Sequence, residues 1–207
     1  MFRGESASLQ HILAATASES KPFAPKPLLN GSLDHKSGFL VTSFIPLTSA
    51  SRKHQSRLGA RLAQMHAAPP VTLDEFGPPA GRFGFPVNTM LGSTLQDNEW
   101  EDDYVTFWRE RRLKLMLANV LKEHPHDTEI EELGQVLVDG LSSLFTGVEV
   151  QPALLHGDLW SGNWGVDSSA DEPVIFDPAC YYVCPSVWLP PTHSKRTLVY
   201  RDTMKQN

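Results

Sequence analysis

Residues 153–182 read ALLHGDLWSGNWGVDSSADEPVIFDPACYY, and this stretch decides the fold. Two short apolar runs, Trp164 to Val166 and Pro173 to Phe176, flank a polar turn from Asp167 to Glu172, which predicts a β-hairpin. Ahead of the hairpin stand His156-Gly157-Asp158-Leu159 and then Asn163, and Asp177 closes the strand that follows it. An Asp, an amide five positions on and a second Asp at a strand end together supply what phosphoryl transfer needs. One carboxylate can accept or orient an attacking hydroxyl, and two oxygen donors can hold Mg²⁺ against nucleotide phosphates.

The order of these parts has the form of the protein-kinase catalytic loop H-R-D-L-x-x-x-N, with Gly157 in the Arg position and Asp177 where that scaffold keeps its metal-binding acid. An isolated strand-end Asp is an ordinary turn residue. The loop, the hairpin and the terminal Asp in sequence form a compound signal.

Working outward, MFRGESASLQHILAA places Phe2, Leu9, Ile12 and Leu13 on one side of a helix, with Glu5 inside that stripe. Glu5 reads equally as a first-turn acid at the helix dipole and as a functional carboxylate. After the Pro-punctuated residues 21–27 come Leu28 and Leu29, a turn expected at Asn30-Gly31, and the apolar run Gly38 to Ile45, closed by Pro46. A helix is expected from Ser51 to Ala67, with His66 as a packed structural histidine. Residues 69–100 are rich in Pro, Gly and Asn and are expected to form an ordered but irregular loop. Helices are then expected from Glu101 to Lys122 and from Glu129 to Phe145, broken by His-Pro-His, with Arg111 and Arg112 as solvated guanidinium groups on packed stems, and anchoring by a carboxylate partner as the alternative reading.

Composition sets outer bounds. In 207 residues, 18 basic and 24 acidic side chains give a net charge of -6, which argues against a duplex-binding surface and so against nucleic acid as partner. Cys180 and Cys184 lack the second ligand pair of a zinc site and read as free thiols, so a soluble, cytoplasmic protein without a membrane span is expected.

LLHGDLWSGNWG with PVIFDPACYY resembles the fructosamine 3-kinase family, also called ketosamine 3-kinase or protein-ribulosamine 3-kinase, and Trp160 after Gly-Asp-Leu is its more particular mark. MFRGESASL is similar to that family's helix C, GFLVTSFIPL to its strand before the nucleotide hinge, and FGFPVNTMLGSTLQDNEWEDDYVTFWRERRL to its characteristic loop and helix. The resemblance implies an α/β protein-kinase-like fold of the aminoglycoside and choline kinase type. It divides the chain into a partial N-lobe over 1–47, a helical C-lobe over 48–182 and a divergent tail over 183–207. It makes Asp158 the catalytic base and Asn163 and Asp177 the metal ligands. Backbone groups around Ser43, Phe44 and Ile45 become the adenine hinge, and Glu5 becomes the partner of a phosphate-binding lysine. Trp160, Asn88, Gln96 and Trp100 would face a sugar.

The implied cofactors are ATP and Mg²⁺, and the implied reaction is phosphorylation of the 3-hydroxyl of ketosamines on glycated proteins or small amines, a deglycation repair. Two departures are expected to matter: no Gly-rich loop or lysine strand precedes Met1, and the sequence after Tyr182 leaves the family pattern. A catalytically impaired binding module and a kinase for a free aminoglycoside or choline-like alcohol are the competing readings.

Overall fold

The apolar stripe at the N-terminus forms helix α1 (Phe2–Ala15), with Leu9 and Ile12 fully buried. The structure, a computed structural model, describes residues 2–34, 37–73 and 81–184. Two buried hydroxyls bond back to α1 carbonyls: Ser8 Oγ donates to Gly4 O at 2.8 Å, and Thr16 Oγ1, just past the helix end, to Ile12 O at 2.8 Å. Gly4 lets another segment approach closely, since a Cβ there would lie 2.6 Å from Asn88 O.

Strands β1 (Pro27–Ser32) and β2 (Gly38–Thr42) pair antiparallel, with Leu29 opposite Val41 and Gly31 opposite Phe39. The turn expected at Asn30-Gly31 is absent, because both residues belong to β1. Asn30 Nδ2 donates to Ser6 Oγ on α1 at 3.0 Å, and a Cβ on Gly31 would lie 2.9 Å from the Phe39 ring. The glycine therefore makes room for a cross-strand aromatic ring. The chain turns beyond Ser32, where Leu33 N–H donates to Ser37 O and Ser37 N–H to the Asp34 carboxylate.

Strand β3 (Leu47–Thr48) leads to helix α2 (Arg52–Ala67), the latter close to expectation. His54 organises its start: Nδ1 accepts from Ser51 N–H at 3.0 Å, and Nε2 lies 2.9 Å from Asp171 Oδ1. The loop expected to be irregular contains a hairpin, β4 (Thr89–Leu91) and β5 (Thr94–Gln96), turning at Gly92 with φ +58°. A Gly-led two-residue turn between paired strands is a hairpin signal that the Pro and Gly content of the surrounding stretch masked. Residues 74–80 of that loop lie outside the described residues.

The next helix is interrupted. Helix α3 (Tyr104–Trp108), capped by Asp103, runs into a π-helical turn (Arg109–Leu113) and then α4 (Lys114–Glu123). Arg111 and Arg112 are half-buried and anchored there, as detailed below. Helix α5 (Thr128–Leu144) begins at the Asp127 cap and packs on α4 through Gly134, where a Cβ would meet Leu117 at 2.5 Å.

Strand β6 (Ala153–Leu155) pairs with β9 (Tyr181–Val183), and β7 (Trp164–Asp167) sits between β3 and β8 (Glu172–Ile175). Val183, where the divergent tail was expected to start, is opposite Ala153 in this ladder, and residues 185–207 lie outside the described residues. The core joins Leu9 and Ile12 of α1, Met65 of α2, Phe107 of α3, Leu154 of β6, Ile175 of β8 and Tyr182 of β9. No helix among the described residues is long and apolar enough to cross a membrane.

Candidate active site

Strand β6 is buried along its whole length and delivers the chain to His156. His156 Nε2 donates to Phe176 O at 3.0 Å, and its Nδ1 accepts from Asp158 N–H at 3.3 Å. Burial pushes its pKa down to about 4, so the ring is neutral at physiological pH with its proton on Nε2. Its carbonyl accepts from Ala179 N–H at 2.9 Å, so His156 fastens the loop before Asp158 to both sides of Asp177.

Gly157 follows with φ +84°, and a Cβ there would lie 1.9 Å from Ala179 O. Only glycine fits. Asp177 also has a left-handed backbone, with φ +57°. A non-glycine residue in that region is uncommon and marks a place where surrounding contacts hold the backbone.

Asn163 connects the two acids. Its Nδ2 donates to Asp158 O at 2.8 Å and to Asp158 Oδ2 at 3.1 Å, and lies 3.5 Å from Asp177 O. The Asn163 main chain is held by its N–H to Trp160 O and by Phe176 N–H to its carbonyl, both at 3.0 Å. With the amide nitrogen committed, the amide oxygen is the atom left to act as a ligand.

Glu5 reaches the same region from the first turn of α1. Burial raises its pKa, and the charge of Asp177 adds to the effect. Burial and Asp177 likewise raise Asp158, opposed by the Asn163 hydrogen bond. Cys180 N–H donates to Ser8 Oγ at 3.0 Å, which ties α1 to the segment just after Asp177.

This donor set suits a hard cation that keeps ligands from elsewhere. Among the described residues, no three His, Cys, Asp or Glu side chains are placed to hold a metal by themselves. One carboxylate and an amide oxygen beside a second acid fit Mg²⁺ completed by phosphate oxygens and water, and among the described residues no cluster of thiolates and imidazoles is placed to hold a softer metal.

The segment expected at the hinge runs from β2 to β3. Ser43 N–H donates to Lys26 O at 2.8 Å, Ser43 Oγ accepts from Lys26 N–H, and Phe44 is 89% exposed. Pro46 O accepts from Ser168 N–H, and Leu47 is opposite Asp167, so residues 43–48 are fastened to the turn end of the β7–β8 hairpin. The residues expected to face a sugar are dispersed. Trp160 is 61% exposed beside the Asp158 loop, and Gln96 ends β5. Asn88 and Trp100 line a cavity of about 690 Å³ with Arg3, Phe85 and Glu99, and Asn88 Oδ1 accepts from Asn98 N–H at 3.0 Å. A second cavity of about 680 Å³ lies between the C-terminal ends of α1 and α2, lined by Glu19, Lys21 and Arg61. Neither cavity is lined by Asp158, Asn163 or Asp177.

Sequence reasoning passed over Gly157 and His156 as geometric parts, although their position beside the acid was the available signal. It placed carboxylate anchoring of Arg111 second to a solvated guanidinium and named no partners, whereas Arg111 is anchored by Asp97, Glu99 and Glu101. Alternation of acids at 97, 99 and 101 before an Arg pair was the pattern that could have shown it.

A sequence model of the fructosamine kinase family matches residues 1–187. The chloroplastic protein-ribulosamine 3-kinase of Arabidopsis thaliana is 37% identical over 182 residues, covering 88% of this chain and 51% of that protein. Ketosamine-3-kinase of Mus musculus is 34% identical over 197 residues, covering 88% and 61%. A crystal structure from Haemophilus somnus 129PT, assigned as a fructosamine-3-kinase, superposes with a TM-score of 0.70 at 21% identity, covering 100% of this chain and 64% of that one. A second, from Thermobifida fusca, gives 0.64 at 24% identity, covering 87% and 55%. These two show the fold. The chain spans about half to two thirds of the length of the relatives it matches.

Proposed function

The chain belongs to the fructosamine kinase family, and from that premise we propose that it transfers a phosphoryl group from ATP to the 3-hydroxyl of a ketosamine, the amine-linked ketose of a glycated protein or small amine. The observation that carries the reading is the Asn163 amide, which bonds Asp158 and lies against the Asp177 main chain at once. Phosphoryl transfer depends on positioning and charge more than on covalent chemistry, and this bridge sets the spacing of the two acids.

In this reading Asp158 accepts the hydroxyl proton at Oδ1, because Oδ2 is held by Asn163. The raised Asp158 pKa brings that carboxylate nearer the range in which a base works, while the Asn163 bond keeps it ionised and oriented. The Asp177 carboxylate and the Asn163 amide oxygen would hold Mg²⁺. Bound there, Mg·ATP supplies the phosphoryl group and the positive charge that balances it. Glu5 adds a third acid whose repulsion from Asp177 a cation beside the phosphates relieves. Backbone groups of residues 43–45 take the adenine, and Trp160, exposed beside the loop, offers a ring face to the sugar. The fold is that of a protein-kinase-like enzyme whose lobes meet near residues 47 and 48. Release of the amine after phosphorylation makes the reaction a repair step, in a reducing compartment suited to the buried cysteines Cys180 and Cys184.

The test is a single-turnover assay with labelled ATP, Mg²⁺ and fructosyl-lysine, beside Asp158→Ala and Asp158→Asn. Product from the parent chain and a loss of at least about 10²-fold in both variants is expected. A folded parent that binds Mg·ATP and yields no product would establish a binding module without turnover. Transfer to choline or an aminoglycoside in place of the ketosamine would establish the small-molecule reading.

A further inference from the structure

The π-helical turn (Arg109–Leu113) puts two neighbouring arginines to different uses. A π turn adds a residue to a helical turn, and such bulges occur often at functional sites. Arg111 stays at the rim and bonds Asp97 at 2.9 Å, Glu99 at 2.6 Å and Glu101 at 2.7 Å. Arg112 turns inward. Its Nη1 donates to Asp97 O and its Nη2 to Asn98 Oδ1 at 2.6 Å. Asn98 is itself fully buried and donates to Val87 O at 3.1 Å and Thr89 Oγ1 at 3.0 Å.

The guanidinium carbon of Arg112 lies 4.6 Å from the centroid of the Phe107 ring and 4.6 Å from that of Tyr181, two rings stacked at 6.1 Å. Burial lowers the Arg112 pKa, and Tyr181 and Asp97 oppose that effect. Tyr181 is the next link. It opens β9 opposite Leu155, four positions after Asp177, and its ring edge is 3.3 Å from where a Gly157 Cβ would stand. The ring thus lies between Arg112 and the backbone immediately before Asp158.

We propose that Arg112, acting through Tyr181, is a positioning residue that sets the relative placement of the Asp158 loop and the Asp177 segment. The step from placement to nucleotide binding rests on the function proposed above. The placement itself does not. A planar guanidinium can stack on both rings while donating to Asp97 and Asn98, and an ammonium cannot do both. Lysine at this position therefore keeps the charge and loses the clamp.

The experiment compares the full chain with Arg112→Lys, Arg112→Met and, as a destabilised control on α5, Val138→Ala. Amide hydrogen exchange is read by mass spectrometry, and the Kd for Mg·ATP by calorimetry. In both Arg112 variants, peptides over 156–160 and 177–181 should exchange at least about tenfold faster while α5 keeps parental protection. Val138→Ala should show the reverse pattern. Mg·ATP binding should weaken at least about tenfold in Arg112→Lys and stay within about twofold in Val138→Ala. Parental exchange at both segments in folded Arg112→Lys overturns the proposal, as does a uniform rise across the whole chain, which would make Arg112 a general stability element. Faster exchange with an unchanged Kd overturns its role toward the nucleotide. A parent chain that binds no Mg·ATP removes the proposed function, and the exchange data still decide whether Arg112 positions the loops. Should Arg112→Met not fold, Arg112→Lys carries the comparison.

Discussion

Substituting Gly157 by alanine tests the geometry of the candidate site more sharply than removing any of its carboxylates. The perturbation is one methyl group, and the structure places it 1.9 Å from Ala179 O and 2.6 Å from Ala179 C. Both neighbours are backbone, so no side-chain rotation relieves the overlap. The φ of +84° adds a cost of about 1–2 kcal/mol for any L side chain. Overpacking in a fitted core adds about 1–3 kcal/mol. Together these predict a loss of about 2–5 kcal/mol, and at about 2–4 °C per kcal/mol for a chain of this size the melting midpoint falls by roughly 4–20 °C.

Gly140→Ala is the matched control. It lies within α5 with open space around the added Cβ, so it should be neutral or stabilising by up to about 1 kcal/mol. Denaturant melts followed by circular dichroism measure both variants. Because the displaced Ala179 carbonyl is two residues beyond Asp177, Gly157→Ala should also weaken Mg·ATP binding. A Gly157→Ala melt within about 1 kcal/mol of the parent would refute the claim that this loop has no room for a side chain.

Three further outcomes are expected. Arg61 is buried, ion-paired with Glu19, bonded to Pro173 O at 2.8 Å and Lys21 O at 2.6 Å, and stacked 4.4 Å from the Phe23 centroid. Arg61→Met leaves Glu19 without that partner and should cost about 3–5 kcal/mol in a urea melt, partly restored by adding Glu19→Gln. His66 and His156 are each held by burial at about 4, below the usual value near 6.5, so the unfolded chain takes up protons that the folded chain refuses. Their stabilisation is complete above pH 6.5 and is lost as pH falls through 4, by at most about 3 kcal/mol each; an unfolding midpoint as high at pH 5 as at pH 7 would contradict this, and His66→Gln should flatten the slope. Asp171 in the β7–β8 turn is lowered to about 2 by its hydrogen bonds from Lys53 and then His54. Its contribution is therefore present above the usual carboxylate value and lost as pH falls through 2. Asp171→Asn should lower the midpoint at neutral pH by an amount that shrinks as salt is added, because exposed charges are screened.

What was legible in the sequence was local. His156 through Asp177 spans a single hairpin, so the relation between Asp158, Asn163 and Asp177 is set by hydrogen bonds within one short stretch. The stripe in α1 and the period in α2 were readable for the same reason, since burial of one helical face imposes its repeat on neighbouring residues. The Asn30-Gly31 expectation failed because that dipeptide's use was decided at a distance, by Ser6 on α1 and the Phe39 ring across the strand. Strands β6 and β9 were likewise invisible as a pair, because three-residue apolar runs carry no usable period and their ladder joins residues far apart in sequence.

The sequence by itself determined which chemistry-bearing residues the chain brings, and how far apart they lie along the hairpin. Tertiary structure alone decided their surroundings. It brought Glu5 within range of the Asp177 charge, closed the space over Gly157 with the Ala179 carbonyl and laid Arg112 over two neighbouring rings. The physical reason is range: backbone hydrogen bonding and side-chain period act over a few residues, whereas burial and Coulomb interactions act between whatever segments the fold places together.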